Sequence, residues 1–118
     1  MNDKELLELA AKAAEVEVKW CDATEAFWTT DGYDSFTPLT YDADALRLAV
    51  TLLFEIDISN GCVAVRHSSG IKILEAFNQD PYAATRRAIV RAAAEIGRST
   101  EPKSDFKTQM NDNWAGLI

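Results

Sequence analysis

Ile56-Asp57-Ile58-Ser59-Asn60-Gly61-Cys62-Val63-Ala64-Val65 reads as a β-hairpin at the centre of the chain's architecture. Asn-Gly is the preferred pair for a two-residue type I′ turn, because both residues tolerate positive φ. A loop of that length sets the register: Ser59 faces Cys62, Ile58 faces Val63 and Ile56 faces Val65. The apolar residues of both strands then share one face, as a half-buried sheet requires.

Before the hairpin, Asp42 reads as the cap of a preceding helix, and Asp44 suits the positive end of its dipole. Leu46, Ala49, Val50 and Leu53 form its expected stripe. Leu48 and Leu52 widen it, which predicts burial on more than one side. After the hairpin, Ser68-Ser69-Gly70 makes a turn into a third strand over Ile71–Phe77. Ile71 and Ile73 fall on one face of that strand, Leu74 and Ala76 on the other, the pattern of a sheet covered by helices on both faces. Asp80 caps the last helix, with Pro81 at its first position and Gly97 as its expected stop. Tyr82, Thr85, Ile89, Ala92, Ala93 and Ile96 are its predicted buried stripe.

Toward the N-terminus, Leu6, Leu9, Ala10 and Ala13 follow helical spacing over Asp3–Ala14, and Asn2 with Glu5 matches a capping box. Val16, Val18 and Trp20 then alternate with Glu17 and Lys19, which predicts a strand. Glu25–Thr30 is a candidate second strand. Asp31-Gly32 and Thr37-Pro38 mark turns in an aromatic-rich connection. The expected class is α/β of the α+β kind. Its plan is an antiparallel sheet of about four strands with helices on both faces, in the order α-β-(β)-α-β-β-β-α. Residues 1–98 make one domain, and 99–118 a C-terminal extension ending in Trp114-Ala115-Gly116-Leu117-Ile118.

Nineteen acidic against twelve basic residues give a formal charge of −7 in a chain of 118 residues. Long-range electrostatics then oppose binding to nucleic acid and to anionic membrane. No apolar run approaches the ~18 residues that span a bilayer. Met1-Asn2-Asp3-Lys4-Glu5 lacks the basic start and apolar stretch of a signal peptide, so the protein is expected in the cytoplasm. Cys21 and Cys62 lie in segments of different character with no metal-binding or redox spacing, and are expected to be reduced thiols.

Candidate chemistry is sparse. Asp42-Ala43-Asp44 is half of a metal site at most, and capping accounts for it. His67, the single histidine, has no carboxylate partner identifiable from sequence, so no triad is predicted. No metal, cofactor or catalytic residue is expected. Arg86, Arg87, Arg91 and Arg98 make the last helix locally basic; Arg87 and Arg91, one turn apart, are candidate ligands for a nucleotide or other small anion. The alternative is that these arginines form a solvated face opposite Ile89 and Ile96, pairing with Glu95. The order helix, three-stranded meander, helix is also that of double-stranded RNA-binding domains. Those carry lysines at the start of the last helix, where this chain has Asp80-Pro81-Tyr82. Trp28, Tyr33, Phe36 and Tyr41 cluster around a polar connection. Together with Trp114, the first three are the candidate partner-binding residues, since aromatics dominate interface anchors.

Three blocks carry a family resemblance. Phe36-Thr37-Pro38-Leu39 with Asp42–Val50, the closing helix Asp80–Gly97, and the opening Asp3–Ala14 together resemble the phage ABA-sandwich domain family of small phage and prophage proteins. The chain departs from that pattern at Phe36, where tryptophan is usual, and at Ala43, where glycine is frequent. The resemblance implies helices on both faces of a sheet and a phage or prophage origin, and supplies no catalytic residues. The expected function is a non-enzymatic accessory role in the host bacterial cytoplasm. It would act by binding a host protein, with counter-defence as one setting and with homo-oligomers left open.

Overall fold

The computed structural model describes residues 2–30, 32 and 34–99. Its elements are α1 (Asp3–Ala13), β1 (Val18–Cys21), β2 (Ala26–Thr29), β3 (Ser35–Phe36), α2 (Asp42–Thr51), β4 (Glu55–Ser59), β5 (Cys62–Arg66), β6 (Lys72–Ala76) and α3 (Pro81–Ser99). The fold is α+β and entirely antiparallel in its pairing. The described strands divide between two three-stranded sheets, β1-β2-β3 and β4-β5-β6, rather than joining in one of about four.

The hairpin register is the one that the turn length dictates: Ile56 opposite Val65, Ile58 opposite Val63 and Ser59 opposite Cys62. β6 joins β5 with Val63 opposite Glu75 and Val65 opposite Ile73. Val63 and Val65 are fully buried, and this face packs on α3. The opposite face carries Asp57, Ala64 and Leu74 in one row, and Leu74 is exposed. Helices therefore cover one face of this sheet among the described residues, and Leu74 sits on the open one.

Local signals set the helix starts. Asn2 accepts from the Glu5 amide at 2.8 Å while Glu5 accepts from the Asn2 amide at 3.1 Å, a complete capping box. Asp80 accepts from the Ala83 amide at 3.1 Å ahead of Pro81. At α2 the cap position falls to Tyr41, with no side-chain cap bond. Asp44 instead reaches back to accept from the Thr37 amide at 2.9 Å and hydroxyl at 3.0 Å, tying the helix to the loop before it.

Two helix faces differ from the periodic expectation. α2 buries Ala45, Leu48 and Ala49, leaving Leu46, Val50 and Leu53 exposed. The helix is apolar on adjacent stripes, and the one with the small alanines lets it approach α3. In α3, Tyr82 is exposed and eight residues from Ala84 to Gly97 are buried, because α1, α2, β5 and β6 all pack against this helix.

Gly97 does not stop α3, which continues to Ser99. A Cβ built on Gly97 would stand 2.0 Å from the Leu9 carbonyl oxygen of α1. The glycine serves close packing of two helix backbones rather than helix termination. Replacing glycine by alanine inside a helix normally stabilises by about 0.5–1 kcal/mol. Here the backbone clash reverses the sign: Gly97→Ala should cost about 1–3 kcal/mol or more. A thermal melt should show a fall of about 4–8 °C per kcal/mol for a domain of this size. An unchanged or raised Tm would mean that the two helices are not in contact there.

Candidate functional site

Strand parity separates the aromatic candidates. Phe27 pairs with Phe36, and both point into the core; Trp28 pairs with Ser35 on the outer face. Phe36 is 8% exposed, so it is a core residue and not a surface anchor. Successive residues of a strand face opposite ways, which a list of nearby aromatics does not take into account. Trp28 is half-buried, its Nε1 donating to Thr24 Oγ1 at 2.9 Å. Tyr33 and Trp114 lie outside the described residues. Trp20 is braced at the other face, edge-on to Phe27 at 5.0 Å, with Lys4 Nζ 4.6 Å from its ring centroid.

Trp28 shares a concavity of about 540 Å³ with Lys19, Trp20, Cys21 and Thr24. The Thr24 hydroxyl, followed by the Thr24 and Ala23 amides, hydrogen-bonds the Cys21 sulfur and holds this thiol below its ordinary pKa. The β1–β2 turn brings those donors round, and nothing in the spacing of the cysteines announces it. Cys62 lies on β5, half-buried.

The arginines of α3 each find a partner. Arg86 Nε donates to the Leu39 carbonyl at 2.9 Å and its Nη1 pairs with Asp42 at 2.7 Å. Arg87 pairs with Asp3 at 3.2 Å, and Arg98 with Glu95 at 2.9 Å. Arg91 pairs with Glu75 and donates to the Leu74 carbonyl at 3.3 Å, at the outer edge of β6. Arg87, Arg91 and Arg98 do converge, with Leu6, Glu75 and Glu95, on a cleft of about 390 Å³. Asp42 and Asp44 are engaged with Arg86 and Thr37. No group of three or more His, Cys, Asp or Glu suited to a metal occurs among the described residues. His67 Nδ1 accepts from the Ser69 amide at 3.1 Å with the Ser69 hydroxyl at 2.8 Å, and its ring stands edge-on to Phe54. This ties the histidine into the Ser68-Ser69-Gly70 turn.

The most exposed apolar surface lies elsewhere. Leu46 of α2, Ile56 and Ile58 of β4, and Tyr82 and Ile89 of α3 line a groove of about 280 Å³. Leu46 is 61% exposed, Ile58 54% and Tyr82 70%. Its polar wall is the Asp42–Arg86 ion pair. Val50 and Leu53 extend the apolar character of α2, and Leu53 is 82% exposed. Leu53 also adopts φ 59°, a left-handed conformation that glycine usually fills after a helix. Sequence periodicity places Leu46, Val50 and Leu53 in the core; their exposure is a product of how α2 docks.

No family model, curated protein or solved structure matches the chain. No helix among the described residues is long and apolar enough to cross a membrane.

The Thr24 contacts make a direct chemical prediction. Iodoacetamide should alkylate Cys21 faster than Cys62 at neutral pH, with its rate falling as pH drops through a midpoint below that of an ordinary thiol. Thr24→Val should move that midpoint upward and slow the reaction near neutrality. Equal midpoints in the two proteins would remove the hydroxyl as the cause.

Proposed function

We propose that the protein is a non-enzymatic phage or prophage accessory protein that works by binding a host protein in the bacterial cytoplasm, with counter-defence as its setting. The observation that carries this reading is the groove floored by Leu46, Ile58 and Tyr82, three large side chains more than half exposed around one concavity. Contiguous exposed apolar surface on a small domain is the usual mark of an interaction site. The resemblance of three sequence blocks to a phage family supplies the setting, and a net charge of −7 favours a partner with a basic surface. That charge weighs against nucleic acid and anionic membrane as partners.

The interaction surface in this reading is the α2–β4–α3 groove. Trp28, on the outer face of the other sheet, is a separate candidate. Affinity capture from the infected or lysogenic host tests both. Leu46→Asp with Tyr82→Ala should abolish capture of a protein that the native chain retains, with the Tm held within a few degrees. Trp28→Ala should leave capture intact. Capture lost in Trp28→Ala but kept in the groove variant would move the interface to the β1-β2-β3 sheet.

A second reading rests on the convergence of Arg87, Arg91 and Arg98 around one cleft, which suits a nucleotide or similar anion. Asp3, Glu75 and Glu95 oppose it, since an anion would have to displace carboxylates already paired with these guanidiniums. Millimolar nucleotides across a panel should raise the Tm if the cleft binds them, and Arg91→Ala should erase the rise. A flat panel would end this reading.

A further inference from the structure

The two edges of the β4-β5-β6 sheet are finished differently. In a two-residue hairpin the pair flanking the turn exchanges both hydrogen bonds, so Ser59, Asp57 and Glu55 turn their backbone groups toward β5. The amides and carbonyls of Ile56 and Ile58 therefore face the outer edge of β4. The same alternation on β6 turns the Leu74 carbonyl outward, and there Arg91 donates to it at 3.3 Å. One edge is thus covered by a guanidinium from α3. Among the described residues, no strand pairs with the other.

The side chains around that open edge match an incoming strand. Ile56 and Ile58 project to the face where Leu46 and Tyr82 form the groove, so alternate side chains of an added strand would enter it. On the opposite face of β4 stand Glu55 and Asp57. Glu55 lies across from Arg66, whereas Asp57 lies across from Ala64. Asp57 is exposed, and no Lys or Arg forms an ion pair with it among the described residues; the Ser59 hydroxyl stands 3.4 Å away.

Building on the protein-binding reading, we propose that the outer edge of β4 accepts an extended segment of the partner as an additional strand. Apolar side chains at alternate positions fill the groove over Leu46, Ile58 and Tyr82, and a Lys or Arg between them meets Asp57. Main-chain pairing gives the attachment, and the groove with the carboxylate behind it gives the selection. A second copy of this chain is the poorer occupant. Each copy carries a net charge of −7, and a twofold pairing of Ile56 with Ile58 would set two Asp57 carboxylates face to face.

The test titrates the full chain against a fluorescein-labelled peptide of about seven residues, the length of an ordinary strand, with valine alternating with lysine. A peptide of the same composition with its valines contiguous is the control. The alternating peptide should bind more tightly, and Asp57→Lys should weaken it at least about tenfold. Ile58→Pro, which removes an amide facing the open edge and not one facing β5, should do the same. If Ile58→Pro fails to melt cooperatively, a peptide N-methylated on its β4-facing amides replaces it and should not bind the native chain. Equal binding of the two peptides, or binding indifferent to both backbone changes, would overturn strand addition. So would a concentration-dependent dimer in sedimentation that Ile58→Pro abolishes, since the occupant would then be a second copy. Peptide affinity that rises about tenfold in full-length Trp114→Asp would assign the edge to the chain's own C-terminal residues and overturn the proposal equally. Peptide binding lost while host-protein capture persists defeats strand addition alone; capture lost while peptide binding persists defeats the accessory-protein reading alone.

Discussion

The backbones of α1 and α3 meet where Gly97 lies against Leu9, with room for a hydrogen and not for a methyl group. Ala10 and Ala11 of α1 and Ala93 and Ala94 of α3 are all buried in the same core cluster. Small residues let two helix axes approach and gain dispersion contacts along their length. α3 then becomes the post on which the rest is hung: α2 on one side, and the inner face of β4-β5-β6 on another. Through Phe27 and Phe36, the β1-β2-β3 sheet joins the same core cluster. A helix packed on so many sides needs small apolar residues over a broad face, and eight buried positions ending in glycine meet that demand.

Its remaining surface is where the arginines project, and their placement explains why the last helix is basic in an acidic protein. Three of its four guanidiniums tie α3 to another element, Arg86 to the loop before α2, Arg87 to α1 and Arg91 to β6, while Arg98 pairs with Glu95 within the helix. Ion pairs with at least one exposed partner contribute little stability singly. Their effect is positional, and at Arg91 it closes a sheet edge that would otherwise offer free backbone groups.

The acidic, apolar side of the molecule carries the opposite character. Around the β4 edge the chain leaves large side chains uncovered and one carboxylate uncompensated, and the residue leading into β4, Leu53, is both exposed and left-handed. A domain optimised only for stability would place glycine or asparagine at that position and polar residues along the outer stripe of α2.

Features that depend on near neighbours in the chain are legible in its residues. Asn60-Gly61 set the turn, and the turn set the register of β4 on β5. Asn2 with Glu5 started α1, and Asp80-Pro81 started α3. The imbalance of charge was likewise plain from the residues. Long-range packing selects which of two apolar stripes α2 buries, because Leu46 and Leu48 are equally apolar and the choice lies with the alanines that fit against α3. It decided that Gly97 is a packing glycine, since a helix stop and a close crossing call for the same residue. It sent Phe36 inward and Trp28 outward through a pairing with Phe27 and Ser35 that no local pattern specified. The groove at β4 belongs to the same class. Its residues come from three elements distant in the chain, and only their packing makes them one surface.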